Sequence, residues 1–157
     1  VVGSDTNTYD SCYDREHLWD GEYASGSCNS TGTGSETTID IEFDLGASYD
    51  LTDVDVYGDD DQSWQCGTYT FKHKVLLGDS WTTEFSSADC NQRAWDEHAL
   101  SDTARYVRFE FDASAYSGIQ VREIRLFGDL STTPVSSSNL RPRAQRPAGS
   151  NIGRAGP

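Results

Sequence analysis

The 157-residue chain has no methionine, four prolines and only 12 basic residues against 26 acidic ones, a formal net charge of −14. So few lysines and arginines leave no basic face for a phosphate backbone, which excludes nucleic acid as a partner. Cations, a basic partner or simple solubility suit such a charge. No apolar run reaches the roughly 20 residues of a membrane span, and no stretch of helical length carries a 3.6-residue period. The chain begins at Val1 without a leader pattern, which reads as a processed, mature protein. There is no G-x-S-x-G, no H-E-x-x-H and no phosphate loop, so the chain is read as non-catalytic.

Cysteine is scarce but even in number: Cys12, Cys28, Cys66 and Cys90. None forms a C-x-x-C pair, which argues against a zinc site built on thiolates. Four cysteines in an acidic, strand-rich chain suit two disulfides and an oxidising, extracellular setting. Three pairings are possible. Cys12–Cys28 with Cys66–Cys90 is favoured because each closes a local loop. Asn29-Ser30-Thr31 is an N-glycosylation acceptor sequence, consistent with secretion.

What the chain has in quantity is alternation. Ile39, Ile41, Phe43 and Leu45 alternate with Asp40, Glu42 and Asp44, the period of two that marks a half-buried strand. After a turn at 46–50, Leu51, Val54 and Val56 predict the next strand. Tyr69, Phe71, His73 and Val75 predict another, 81–85 a short one and 95–100 a further one. Residues 103–128 read as two strands joined by a short polar loop. The parity of the second changes between Val121 and Ile124, which predicts a bulge or twist there. Residues 1–36 are loop-rich, with Leu18 and Trp19 expected to dock on the core and Asp20-Gly21 to turn. Seven or eight short strands separated by turn signals predict an all-β fold, an antiparallel jelly-roll β-sandwich of about eight strands over residues 1–130.

Residues 131–157 differ in kind. They contain no acid and no aromatic, and they carry Arg141, Arg143, Arg146 and Arg154. That leaves 8 bases against 26 acids in residues 1–130, a net of −18. The Ser/Thr/Pro segment at the start of this extended tail, including Thr132 and Thr133, is of the type that carries O-linked sugars. The remainder is basic and rich in proline and glycine.

The segments LWDGEYASG, IDIEFDLGASYDLTDVDVYGDDD, SWTTEF, LSDTARYVRFEF and IQVREIRLFG occur in that order. Together they resemble the discoidin-like group, the factor-five/eight type C and galactose-binding-domain-like family, which includes many carbohydrate-binding modules. The resemblance spans about residues 13–128. It implies an eight-stranded jelly roll, usually non-catalytic, that binds glycans, lipids or proteins through loops at one end. It further implies a structural Ca²⁺ at the positions matching Asp20, Glu22, Ser25 and Glu123. Glu22 stands where the family more often has aspartate. A turn rich in carboxylate and hydroxyl oxygens also suits Ca²⁺ on chemical grounds.

Trp64, in a polar loop beside Cys66, is a candidate for stacking on a sugar, as are Trp19 and Tyr13 in the first loop, with Asp60 as a polar partner. Trp81 and Trp95 lie in predicted strands and read as core. The acidic run Asp59-Asp60-Asp61 reads as a solvated turn, and His98 as a structural histidine. Two functions follow. In the favoured one, the sandwich is a structural subunit of an extracellular filament or glycan-rich matrix, joined to other copies of itself by the basic tail. The charge contrast between domain and tail supports it. In the alternative, the chain is a calcium-stabilised, lectin-like carbohydrate-binding module.

Overall fold

The computed structural model describes residues 2–4, 15–21, 23, 31–33, 37–59, 64–88, 90 and 93–132. Among the described residues, eight strands and one short 3-10 helix follow in the order β1 (Val2–Ser4), the helix (Arg15–Trp19), β2 (Thr31–Thr33), β3 (Thr38–Gly58), β4 (Trp64–Gln65), β5 (Thr68–Lys74), β6 (Thr82–Ser87), β7 (Trp95–Asp112) and β8 (Gly118–Leu130). The strands form one continuous sheet in the order β2-β8-β3-β7-β5-β6, with β1 added beside β3 and β4 beside β8.

The sheet closes into a sandwich because its two long strands bend. β3 and β7 pair along their whole length, with breaks in register between Asp44 and Tyr49 and between Leu51 and Asp53. The sequence predicted separate strands on either side of residues 46–50; the chain instead bends there and continues. Gly46 has φ +84°, a left-handed conformation, and its N–H donates to Asp44 Oδ1 at 2.8 Å. The predicted strands at 95–100 and 103–112 are likewise one strand, β7. The first arm of β3 and the second arm of β7 lie with β1, β5 and β6. The other arms lie with β2, β4 and β8. Bends near 45–51 and 100–105 make a corner end. Asp59, Cys66, Gly67, Cys90 and residues 112–118 gather at the opposite, loop end.

The two strands expected in 103–128 are present, but they are not neighbours: β3 lies between them. Their loop crosses from one layer to the other, pinned by the Ala113 N–H donating to the Thr37 carbonyl at 2.7 Å. One contact is parallel, Trp64 opposite Gly118 in β4 and β8. The alternating residues meet as the period of two requires. Ile39 faces Phe111, Ile41 faces Phe109 and Phe43 faces Val107, all buried. Tyr69 and Phe71 of β5 complete an aromatic core with Phe109 and Phe111. Emptying one such position, as in Phe109→Ala, costs about 3–5 kcal/mol.

Candidate functional site

The loop end is built around an irregularity in β8. Tyr57 faces Glu123, but the next residue, Gly58, faces Val121, so one extra residue is inserted. This is the bulge predicted from the parity change between Val121 and Ile124. It buries both Arg122 and Glu123, at 4% and 3% exposure.

Arg122 meets Asp59, the residue that follows β3. Arg122 Nη2 lies 2.6 Å from Asp59 Oδ2, and Arg93 Nε donates to Asp59 Oδ1 at 2.9 Å. Asp59 is fully buried, so the first acid of the run is not the solvated turn residue expected. Two guanidinium groups compensate its charge. Beside it, the Cys66–Cys90 disulfide spans a Cα–Cα distance of 5.4 Å, the expected pairing. Gly67 (φ +75°) follows, its backbone pressed against the Asp112 carbonyl where a Cβ would collide. Cys12 and Cys28 lie outside the described residues.

Glu123 has a different environment. It faces outward from the sheet beside Tyr57, covered by the turn that follows the 3-10 helix. The Gly21 N–H donates to Glu123 Oε2 at 3.2 Å, and Gly21 has φ +82°. Burial pushes the Glu123 carboxyl above its usual range and the nearby Asp20 carboxylate pushes it further, against the opposing Gly21 N–H and Arg125. Asp20 Oδ2 lies 2.8 Å from His17 Nδ1. The structure thus brings Asp20 near Glu123. A buried carboxylate beside a second acid is a donor set that fits a hard cation. Glu22 and Ser25 lie outside the described residues.

On the same outer face, Tyr23, Tyr57 and Trp95 form a cluster with ring centroids 5.0–5.1 Å apart. The Arg125 guanidinium lies 4.0 Å from the Trp95 ring centre and 4.9 Å from that of Tyr23. The Tyr57 hydroxyl donates to the Arg93 carbonyl at 2.8 Å, tying the cluster to the Asp59 cage. All four side chains are half-buried. Trp95 was expected in the core; the strand alternation instead directs it outward with its partner Tyr57. Tyr23 was not singled out, although its closeness to the Asp20-Gly21 turn was a usable signal. Trp81 is also half-buried rather than core, with Lys74 4.2 Å from its ring centre.

Trp19 packs edge-on to Phe43 at 5.1 Å, while Leu18 is fully buried, so this segment docks on the core as expected. Trp19 also lines an apolar cavity of about 260 Å³ with Leu51, Leu126 and Phe127. Trp64 pairs through its backbone with β8 at the loop end. Tyr13, Asp60, Asn29, Thr133, Arg141, Arg143, Arg146 and Arg154 lie outside the described residues; Thr132 is exposed. His98 stacks on Phe85 at 4.1 Å and sits 3.0 Å from Asp96, a packed histidine. Among the described residues, His73, Glu84 and Asp102 form a group whose ligand atoms all lie within 4.8 Å of one another, at the corner end.

No family model and no curated protein matches the chain. Solved structures do. A family 32 carbohydrate-binding module, GH31 CBM32-2 bound to GalNAc, superposes with a TM-score of 0.66 at 10% identity, over 82% of this chain and 97% of that one. Chitosan-binding module 1 of a chitosanase/glucanase from Paenibacillus sp. IK-5 gives 0.63 at 17% identity, over 81% and 94%. The chain has the discoidin-like, galactose-binding-domain-like fold. A family 89 glycoside hydrolase from Clostridium perfringens also contains this discoidin-like fold; it matches with a TM-score of 0.63 at 14% identity, over 83% of this chain but 14% of that enzyme. The match to the hydrolase therefore covers one domain-sized piece, whereas the binding modules match nearly whole.

Proposed function

We propose that the chain is a non-catalytic glycan-binding module of a secreted protein, which presents the loop end to sugar and holds Ca²⁺ between the Asp20-Gly21 turn and Glu123. The observation that carries this reading is the half-buried Tyr23–Tyr57–Trp95 cluster with Arg125 against it, on a fold shared with sugar-binding modules. Rigid aromatic faces offer apolar area to a pyranose ring at little entropic cost, and a guanidinium beside them donates hydrogen bonds to hydroxyls. Trp64, on β4 at the loop end, is a further candidate for sugar contact.

The net charge of −18 over residues 1–130 repels uronate polymers. Neutral N-acetylhexosamines and cationic chitosan, the sugars named for two modules of this fold, are the favoured ligands. Calcium would neutralise Asp20 and Glu123 and so fix the turn that carries Tyr23; Glu22 and Ser25 are the further oxygen donors nearest in sequence. The Cys66–Cys90 disulfide is consistent with an extracellular protein.

Calorimetric titration with GalNAc and with chitosan oligosaccharides tests the proposal, alginate serving as the polyanionic control. Trp95→Ala and Tyr23→Ala are each expected to weaken binding at least tenfold, about 1.4 kcal/mol. Unchanged affinity in both variants, or binding to neither sugar, would sink it. The filament reading draws nothing from the comparisons. Removing residues 133–157 is expected to leave sugar affinity unchanged.

A further inference from the structure

The geometry points to a second, separate metal site at the corner end, where His73, Glu84 and Asp102 bind a divalent transition ion of the Zn²⁺ class. Local structure brings the three together. β5 alternates Tyr69, Phe71 and His73 onto the inner face, where His73 lies opposite the buried Val107. Asp102 faces the buried Leu51 across β3 and β7, so it too is on the inner face, at the bend of β7. Glu84 is the extra residue of a β-bulge: Phe85 faces Phe71, yet Thr83 faces Lys72. A bulge re-aims the inserted side chain, and here it directs Glu84 toward His73.

The His73 side chain is 10% exposed, and neither ring nitrogen makes a hydrogen bond among the described residues. A buried imidazole without a partner is costly. His73 Nε2 lies 3.6 Å from Glu84 Oε2 and 3.8 Å from Asp102 Oδ1. Both distances exceed a hydrogen bond to a carboxylate, which is about 2.7–2.9 Å when charge-assisted. They approach the spacing of ligands around one ion, because metal bonds of about 2.0–2.1 Å set tetrahedral donors roughly 3.4 Å apart. No lysine ammonium competes from the neighbouring position, since Lys74 turns to the other face over Trp81. One imidazole with two carboxylates selects a transition ion, whereas Ca²⁺ takes oxygen donors. The site is therefore chemically distinct from the one at Asp20 and Glu123.

The three donors come from β5, β6 and β7, and β6 is the last strand of the sheet order. The Cys66–Cys90 bond joins the residues just before β5 and just after β6 at the loop end. An ion at His73 would fasten the same pair of strands at their other end.

The test is calorimetric titration of the EDTA-stripped, dialysed full chain with ZnCl₂, with thermal unfolding recorded alongside. A single Zn²⁺ is expected to bind and raise the unfolding temperature. Glu84→Gln and Asp102→Asn, at part-exposed positions, are expected to fold and to weaken Zn²⁺ roughly tenfold or more each, the scale of disturbing a metal shell. His73→Ala should abolish binding, while Glu123→Gln should leave Zn²⁺ affinity unchanged. The proposal is overturned if the stripped chain binds no Zn²⁺, or if Glu84→Gln and Asp102→Asn bind it as tightly as the parent. In either case the trio is an ion pair only.

Discussion

Arg122 and Glu123 are adjacent in one bulge, yet they belong to two opposite electrostatic solutions. At Asp59 a buried carboxylate is enclosed by two guanidinium groups supplied by the chain. At Glu123 a buried carboxylate has a backbone N–H and, nearby, another acid. The first arrangement is complete within the protein. The second sets a carboxylate beside another acid, with Arg125 as the cation that acts on it, and is the arrangement on which the calcium proposal rests. A structural site and a proposed ligand site thus differ in how many compensating cations the chain itself supplies, although both use the same few residues of one strand.

Breaking the first solution has the largest expected effect. Arg122→Met leaves Asp59 buried with only the half-exposed Arg93 and is expected to cost about 3–5 kcal/mol in urea unfolding. Adding Asp59→Asn to that variant should recover much of the loss. A double variant no more stable than Arg122→Met would mean that the guanidinium acts through packing rather than charge. Next is the covalent tie beside the cage. Replacing Cys66 and Cys90 by serine opens a loop with a sequence separation of 24 and is expected to cost about 3 kcal/mol, read from the same unfolding curves.

The smallest effect, and the most diagnostic, is at Glu123. Its pKa is raised in the folded chain, so folding is favoured below the ordinary glutamate value and loses that advantage as pH rises through the raised value. In chelator at neutral pH, Glu123→Gln is expected to be slightly more stable than the parent and to lack this decline. In excess Ca²⁺ the order should reverse, because only the parent gains binding energy. A parent melting temperature indifferent to chelation and to Ca²⁺ would remove the calcium proposal.

Much of the layering was legible in advance. The alternation in 39–45 and 107–111 identified which residues face inward, and the pairs Ile39–Phe111 and Ile41–Phe109 follow from it. The parity change near Glu123 located the bulge. What could not be read was adjacency. β7 and β8 are consecutive but separated by β3, because pairing depends on tertiary packing rather than on chain order. Asp59 was hidden for the same reason: a run of three acids looks solvated until Arg93 and Arg122, 34 and 63 positions away, are brought to it. His73 did carry a local signal, a histidine on the inward phase of Tyr69 and Phe71. Its partners Glu84 and Asp102 became visible only once a bulge and a bend were known.

The departure of the chain from β8 has one further consequence. Leu130 faces Tyr49, and the Ser131 N–H donates to the Ser48 carbonyl at 2.9 Å, so the polypeptide leaves the sandwich at the corner. The aromatic cluster lies at the far end of the same strands. The last described residues therefore sit at the pole opposite the aromatic cluster, so a label attached at Thr132 is separated from that cluster by the length of the strand.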